Sequence, residues 1–402
     1  MNMAKRLAKR LSVIEPSMTL KVTAKAAQLK AQGVDVVSFG AGEPDFDTPI
    51  HIKEAAKKAL DAGATKYTAV EGTPVLRKAV ATWFAKAHGF EVTPQEVMVS
   101  AGAKQVLFNA FHALLDEGDE IIIPAPYWVS YSEIAKLAGA KPVPVISRAE
   151  DEFIVNPEEV ARAITKATRM ILVASPSNPT GAVYDEKTLR AIADLAVRHD
   201  LWLLTDDIYR NLCYGDAKFI QPATFSPEVR KRTVIVDGVS KSYAMTGWRI
   251  GFALAPPDVI EAMGTLQGQS TTNAAAVSQA AAVAALQGPT EELERMRQEF
   301  DKRRLYMVKA LREIPGVRCV EPKGAFYAFP DVSSFIGKKT PQGRVIENDL
   351  TICEYLIEEA KVAVVPGSAF YAPGYIRLSY ATSQAAIEKG ISRIAAAFDL
   401  LR

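Results

Sequence analysis

The chain has 402 residues, 49% of them hydrophobic, with 48 lysines and arginines set against 46 aspartates and glutamates. That length leaves room for two domains with full cores, and so balanced a charge excludes the basic field that a nucleic-acid partner requires. Three widely spaced cysteines, Cys213, Cys319 and Cys353, fit neither a disulfide framework nor a thiolate metal site and point to a reducing, cytoplasmic setting.

The N-terminal MNMAKRLAKRL is basic and amphipathic, but Glu15 and Pro16 follow it where a secretory signal would carry an apolar core, so residues 1–16 read as an arm lying on another surface. The next stretch, 17–47, has too little apolar sequence to stand alone and is expected to join the C-terminal part. Short apolar runs then alternate with helix-length segments: 97–100, 120–123, 142–146, 170–174, 201–205 and 234–237 each read as a buried strand. That β-α-β alternation predicts an α/β fold, a mostly parallel central sheet sandwiched by helices, with ligands beyond the carboxyl ends of the strands. The run 250–255, directly after Trp248-Arg249, reads as a further strand. Beyond Gly264 long helices take over. The Ala-rich 273–286 is broken by Ser278 and Gln279, and no apolar run reaches the ~18 residues of a membrane span. The charged 291–312 is expected to be held mainly by i, i+4 pairs. Short strands around 325–329, 363–365 and 376–379 read as a smaller α+β unit. The expected division is a large domain over 48–295 and a small one built from 17–47 and 296–402.

The strand ends carry the chemistry. SPSNPTG (175–181) follows the fourth strand, Asp206-Asp207-Ile208-Tyr209 the fifth and Gly238-Val239-Ser240-Lys241 the sixth, which delivers an amide, a carboxylate with a phenol, and a lysine to one edge. The first strand delivers Ala101-Gly102-Ala103 to a helix start, where free N–H groups favour a phosphate. Residues 40–45 are no dinucleotide fingerprint, and no Walker A spacing occurs. This set suits an aldehyde cofactor. A lysine with a free pKa of about 10.4 holds such a cofactor as a Schiff base only when burial or a cationic neighbour disfavours its charge. Lys241 lies between two apolar runs, with Arg249 downstream. Asp206 could keep a pyridine nitrogen protonated, Asn178 and Tyr209 could donate to the ring oxygen, and Trp128 in PYWVSY could stack on the ring. Each also has an ordinary reading: Asp206 as a helix N-cap, Asn178 as turn chemistry, Arg377 as a surface ion pair, Trp128 and Tyr67 as core aromatics. His51, His88, His112 and His199 show no ligand spacing and read as structural; no metal is expected.

Taken in order, SPSNPTG, TDDIYRNL, SKSYAMTGWRIG and YIRLSYA resemble the aspartate aminotransferase family of fold-type I pyridoxal-phosphate enzymes, from about Ser17 to the C-terminus. AGEPDFDTP, KYTAVEG, PYWVSY and VAVVPG are most similar to its bacterial class I subgroup. The resemblance implies pyridoxal 5'-phosphate attached to Lys241, which would then shuttle the substrate α-proton. Asp206 would pair with the pyridine nitrogen, and Tyr209 and Asn178 would hold the ring oxygen. Arg249 and the backbone of Gly102, Ala103 and Lys104 would bind the phosphate, joined by Tyr67 from the neighbouring subunit of a homodimer. Arg377 would clamp the substrate α-carboxylate in a bidentate pair, assisted by Asn178 and the Gly42 backbone. Two positions depart from the pattern: Asp207 stands where glutamate is more usual, and Gly238 where many relatives carry a phosphate-binding serine. Ser240 is expected only as a neighbour.

A dicarboxylate substrate needs a second cation, and QSTTN (269–273) has none. Lys104 is the candidate, helped by the hydroxyls of Ser17 and Thr19. The implied reaction is amino transfer between L-aspartate and 2-oxoglutarate. Prephenate, aromatic or kynurenine-type transamination and β-carbon–sulfur lysis share the same ring-binding set. A cofactor-sensing transcription regulator would need an appended DNA-binding domain, and the fold is expected to begin too close to Met1 to admit one.

Overall fold

The computed structural model describes residues 7–402; residues 1–6 of the expected arm lie outside the described residues. Lys9–Ser12, within that arm, form a short exposed helical turn. Strand β1 (Val37–Ser38) belongs to the small pairing described below. The next seven build the main sheet: β2 (Val97–Ser100), β3 (Glu120–Ala125), β4 (Lys141–Ile146), β5 (Thr168–Ala174), β6 (Trp202–Asp206), β7 (Thr233–Gly238) and β8 (Gly251–Leu254). Their order is β2-β8-β7-β6-β5-β3-β4. Every pairing is parallel except the two that β8 makes, with β2 and with β7. β3 and β7 are buried at every residue, as strands covered by helices on both faces must be. β4 is half-buried, exposed only at its end residues Lys141 and Ile146, and carries Pro142 and Pro144, whose missing N–H groups suit an edge.

The reversal at β8 positions the chemistry. Gly238 of β7 faces Gly251 of β8, so residues 239–250 leave and re-enter the sheet at the same edge. All seven expected strands of this sheet are present: 97–100 has its expected bounds, 250–255 is shorter by one residue at each end, and the others are lengthened or shifted by one or two residues.

In the C-terminal part lie β9 (Tyr327–Ala328), β10 (Val362–Ala363), β11 (Val365–Pro366) and β12 (Ile376–Ser379). The expected strand 363–365 is split at Val364. Its first half pairs in parallel with β1, and its second joins the antiparallel sheet β11-β12-β9. Phe300, Phe326, Tyr380 and Ile391 belong to the core beneath these short strands. The helix Glu291–Arg312 has the expected bounds, but its ion pairs differ from expectation. Glu292–Arg295, Glu294–Arg297, Glu299–Lys302 and Asp301–Arg304 are i, i+3 pairs, and only Glu299–Arg303 is i, i+4. Arg303 and Arg304 are buried and turn to Asp45 and Glu321 outside the helix, so tertiary partners, not the helix surface alone, set the rows. Among the described residues no helix is long and apolar enough to cross a membrane, and no cluster of metal-ligating side chains occurs.

Candidate active site

Ala174, Asp206 and Val236 stand in register across β5, β6 and β7, so the segments bearing Asn178, Tyr209 and Lys241 leave the sheet from one edge. Asp206 is 3% exposed. One of its carboxylate oxygens accepts the Tyr131 hydroxyl at 2.6 Å and the other the Ile208 N–H at 3.3 Å. Burial raises its pKa; the Tyr131 and Ile208 bonds and the Lys241 charge oppose that rise. Among the described residues no cation forms an ion pair with it. The N-cap reading fails, because β6 ends at Asp206 in a turn, with no helix after it.

Lys241 donates from Nζ to the Gly42 carbonyl and lies 5.9 Å from the ring centres of Tyr209 and Phe326. Its pKa is lowered to about 8, first by burial; Arg249 and Arg377 add repulsion, and Glu43 and Asp206 pull the other way. The hydroxyls of Tyr209 and Tyr327 bond at 2.8 Å, and burial pushes the pKa of both phenols up.

Arg377 on β12 is 1% exposed. Its Nη1 donates to Asn178 Oδ1 at 3.0 Å and its Nη2 to the Gly40 carbonyl at 2.9 Å, while its Nε has no partner. The guanidinium lies 4.5 Å from the centre of the Tyr327 ring. No carboxylate pairs with it among the described residues, so the surface ion-pair reading is overturned. A buried guanidinium with an unsatisfied donor is costly unless an anion completes it.

The helix Ala103–Leu114 begins at Gly102, with φ +89° and no capping side chain. A Cβ on Gly102 would lie 2.3 Å from Arg249 Nη2, and one on Gly251 would lie 2.2 Å from the Ala103 nitrogen. The two glycines therefore let the Arg249 loop close on an uncapped helix start. Lys104 Nζ sits 4.7 Å above the Trp128 ring, and its pKa is drawn down by burial and by Arg249. Two neighbouring cations at open helical N–H groups form an anion cradle.

The other expected residues are less gathered. Ser17 stands at the cap position of the helix Met18–Ala31 without a side-chain capping bond, and Thr19 Oγ1 is buried without a partner; neither hydroxyl bonds Lys104. Tyr67 is 89% exposed. Asp207 accepts the Gln221 amide beside the Asp237–Arg210 ion pair, which closes at 2.7 Å; burial raises both carboxyls, Asp237 to about 7. Ser240 is buried, as a neighbour of Lys241 would be. His88, stacked on Phe84 and Phe90, is held to about 3 by burial and fits its structural reading.

Sequence reasoning passed over Tyr131, Tyr327 and Glu43. Tyr131 had a signal, since it stands three residues after Trp128 in PYWVSY. Tyr327 had none: it meets Tyr209 only because β9 brings it there.

A family model described as aminotransferase class I and II matches residues 34–394. The chain is 47% identical over 395 residues to an aspartate aminotransferase of Rhizobium meliloti (strain 1021), across 98% of this chain and 96% of that one. It is 47% identical over 399 residues to a probable aspartate/prephenate aminotransferase of Aquifex aeolicus (strain VF5), across 99% of this chain and 100% of that one. The solved structure of Thermus thermophilus aspartate aminotransferase with maleate matches at a TM-score of 0.91 and 44% identity, covering 97% of this chain and 99% of that one. Likeness of this extent, across both the main sheet and the C-terminal unit, makes the chain a member of the aminotransferase class I and II family, whose enzymes use pyridoxal phosphate, and groups it there with the aspartate aminotransferases.

Proposed function

We propose that the chain is a pyridoxal-phosphate-dependent transaminase that moves the amino group of L-aspartate to 2-oxoglutarate, giving oxaloacetate and L-glutamate in two successive half-reactions. The observation that carries this reading is a lysine with its pKa lowered to about 8 in the field of a buried guanidinium that has no carboxylate of its own. The residues present fit the cofactor. Its phosphate needs the uncapped helix start beside Arg249, where Gly102 leaves no Cβ in the way. Its ring nitrogen needs a buried carboxylate without a cation, which Asp206 is.

When bound, pyridoxal phosphate supplies an aldehyde for amine attachment and a ring that accepts the electron pair released at the substrate α-carbon. Arg249 and the Gly102, Ala103 and Lys104 backbone hold the phosphate. Asp206, ordered by Tyr131 and Ile208, keeps a proton on the ring nitrogen. Tyr209 and Asn178 orient the ring oxygen, and Trp128 covers a ring face. Arg377 takes the substrate α-carboxylate as a fork, with Asn178 fixing its plane and the Gly42 backbone beside it. Lys241 Nζ, whose charge is disfavoured by burial, would accept the proton leaving the substrate α-carbon and deliver it to the C4′ carbon of the cofactor. Tyr67, exposed on its own chain, reaches the phosphate of a second subunit in a homodimer.

For the distal carboxylate the candidate cation is Lys104, over Trp128 at the cradle, with the hydroxyls of Ser17 and Thr19, at the start of the helix Met18–Ala31, as candidate helpers. Maleate in the Thermus thermophilus structure is a four-carbon dicarboxylate like aspartate, which supports a dicarboxylate reading. Prephenate is a second reading, supported by the name of the Aquifex aeolicus relative. A panel of amino donors at fixed 2-oxoglutarate tests the choice. Lys104→Ala is expected to lower kcat/KM for aspartate by about 30- to 1000-fold while barely altering phenylalanine. Equal losses for both donors would assign Lys104 to the cofactor alone, and keto-acid release without an amino acceptor would mean a lyase.

A further inference from the structure

Residues 66–73, which carry Tyr67, form no helix or strand, yet they lie against the edge strand β2. The contact is close: the Val99 N–H donates to the Glu71 carbonyl at 2.9 Å, and a Cβ on Gly72, at φ +105°, would come 2.7 Å from the Val99 side chain. Irregular backbone against a sheet must find side-chain partners for its polar groups. Two glutamines, each 0% exposed, supply them.

Gln267, on the helix Pro257–Gly268, spends both Nε2 donors on the carbonyls of Val70 at 2.6 Å and Val99 at 2.9 Å. Its Oε1 accepts Asn109 Nδ2 at 3.0 Å. Gln279, on the helix Ala276–Gln287, accepts the Thr73 N–H at 2.7 Å and donates to Thr68 Oγ1 at 2.9 Å and the Ala274 carbonyl at 2.8 Å. Both side-chain amides thus use every donor, and three of their bonds go to residues 68, 70 and 73, around Tyr67. Asn109 lies on the helix Ala103–Leu114, whose first turn is the anion cradle. A chain of two buried side chains therefore runs from that helix to the loop.

We propose that Gln267 and Gln279 are positioning residues for Tyr67, fixing the outward loop in register with the subunit's own cradle helix. This rests on the reading that Tyr67 serves the cofactor site of a neighbouring subunit. An apolar side chain in either place would fill the volume but leave loop groups unpaired, so the amide is there to place the loop, not to build the core.

The test is a double-mutant cycle on the full-length protein, read as the pyridoxal-phosphate dissociation constant by equilibrium dialysis, with hydrogen exchange of the Thr73 amide followed in cofactor-free protein. Gln279→Met is expected to speed Thr73 exchange and to weaken cofactor binding about tenfold, the scale of a lost buried hydrogen bond. In a Tyr67→Phe background the same change should weaken it by less than about twofold. If Gln279→Met does not fold, Thr68→Val removes one partner only and should give about threefold, again only while Tyr67 is present. Equal weakening in both backgrounds, or unchanged Thr73 exchange, overturns the positioning role and leaves the Tyr67 reading standing. No effect of Tyr67→Phe on its own overturns that reading and this inference with it.

Discussion

At Lys241, folding sets protonation against burial. Its ordinary pKa of 10.5 falls to about 8 in the folded chain. Between those values the unfolded chain binds the extra proton, so stability rises with pH from about 8 to 10.5 and the cost is fully present below 8. Lys241→Met should therefore make cofactor-free protein more stable at pH 7, by up to about 3 kcal/mol. The gap should close near pH 10.5, and thermal melts at both pH values check it; a gap independent of pH would assign the effect to packing. Lys241 and Asp206 were legible in the sequence because each ends or follows a buried apolar run, a local signal. Tyr327 was not: its role lies in a partner chosen by tertiary contact, and the apolar run around it would look the same for a core aromatic; Tyr131 had only its spacing from Trp128 to mark it.

Among the elements, the cradle depends on two close approaches of different kinds. At Gly102 an added Cβ meets the tip of the flexible Arg249 side chain, whereas at Gly251 it meets the Ala103 nitrogen and the Gly102 carbonyl carbon, both backbone. A side-chain tip can swing away; a helix start and a strand cannot. Gly102→Ala is thus expected to displace Arg249 and weaken cofactor binding more than about tenfold, with a backbone cost of about 1–3 kcal/mol because φ +89° and ψ 159° lie in a region open essentially to glycine alone. Gly251→Ala should instead lower stability by about 2–3 kcal/mol. Equilibrium dialysis and denaturant unfolding on both variants separate the outcomes. The parallel strands were readable as buried runs between helices. The direction of β8 was not, because an apolar run looks the same whichever way it enters a sheet, and the split at Val364 depends on two separate partner strands.

For the whole molecule, Leu7, Leu11, Ile50, Leu60, Tyr67, Val75 and Phe108 are large apolar or aromatic side chains left exposed on one chain. If these side chains lie on one face, that face suits an interface between subunits. We propose a homodimer on this basis, with residues 17–47 and 296–402 as one domain and 48–295 as the other; the pairing of β1 with β10 supports that grouping. Sedimentation at micromolar concentration should give twice the 43.6 kDa of the chain. Cofactor retention should fall in step with dissociation on dilution. A fully active monomer would remove any role for Tyr67 across the interface.

The reversal at β8 also bears on how the molecule is assembled in time. Most of the parallel pairings in the main sheet join strands separated by a helical crossover, whereas β7 and β8 are joined by the short connection that carries Lys241 and Arg249. Short loops close faster than long ones, so contact-order reasoning has this hairpin form before the rest of the sheet encloses it. The reactive lysine would then be framed by its own two strands while the carboxylate on β6 and the guanidinium on β12 are still being gathered. Pulse-labelled hydrogen exchange during refolding should show protection of the β7–β8 amides ahead of those joining β5 to β3; the reverse order would mean that the hairpin is held in place by the finished sheet and does not help to nucleate it.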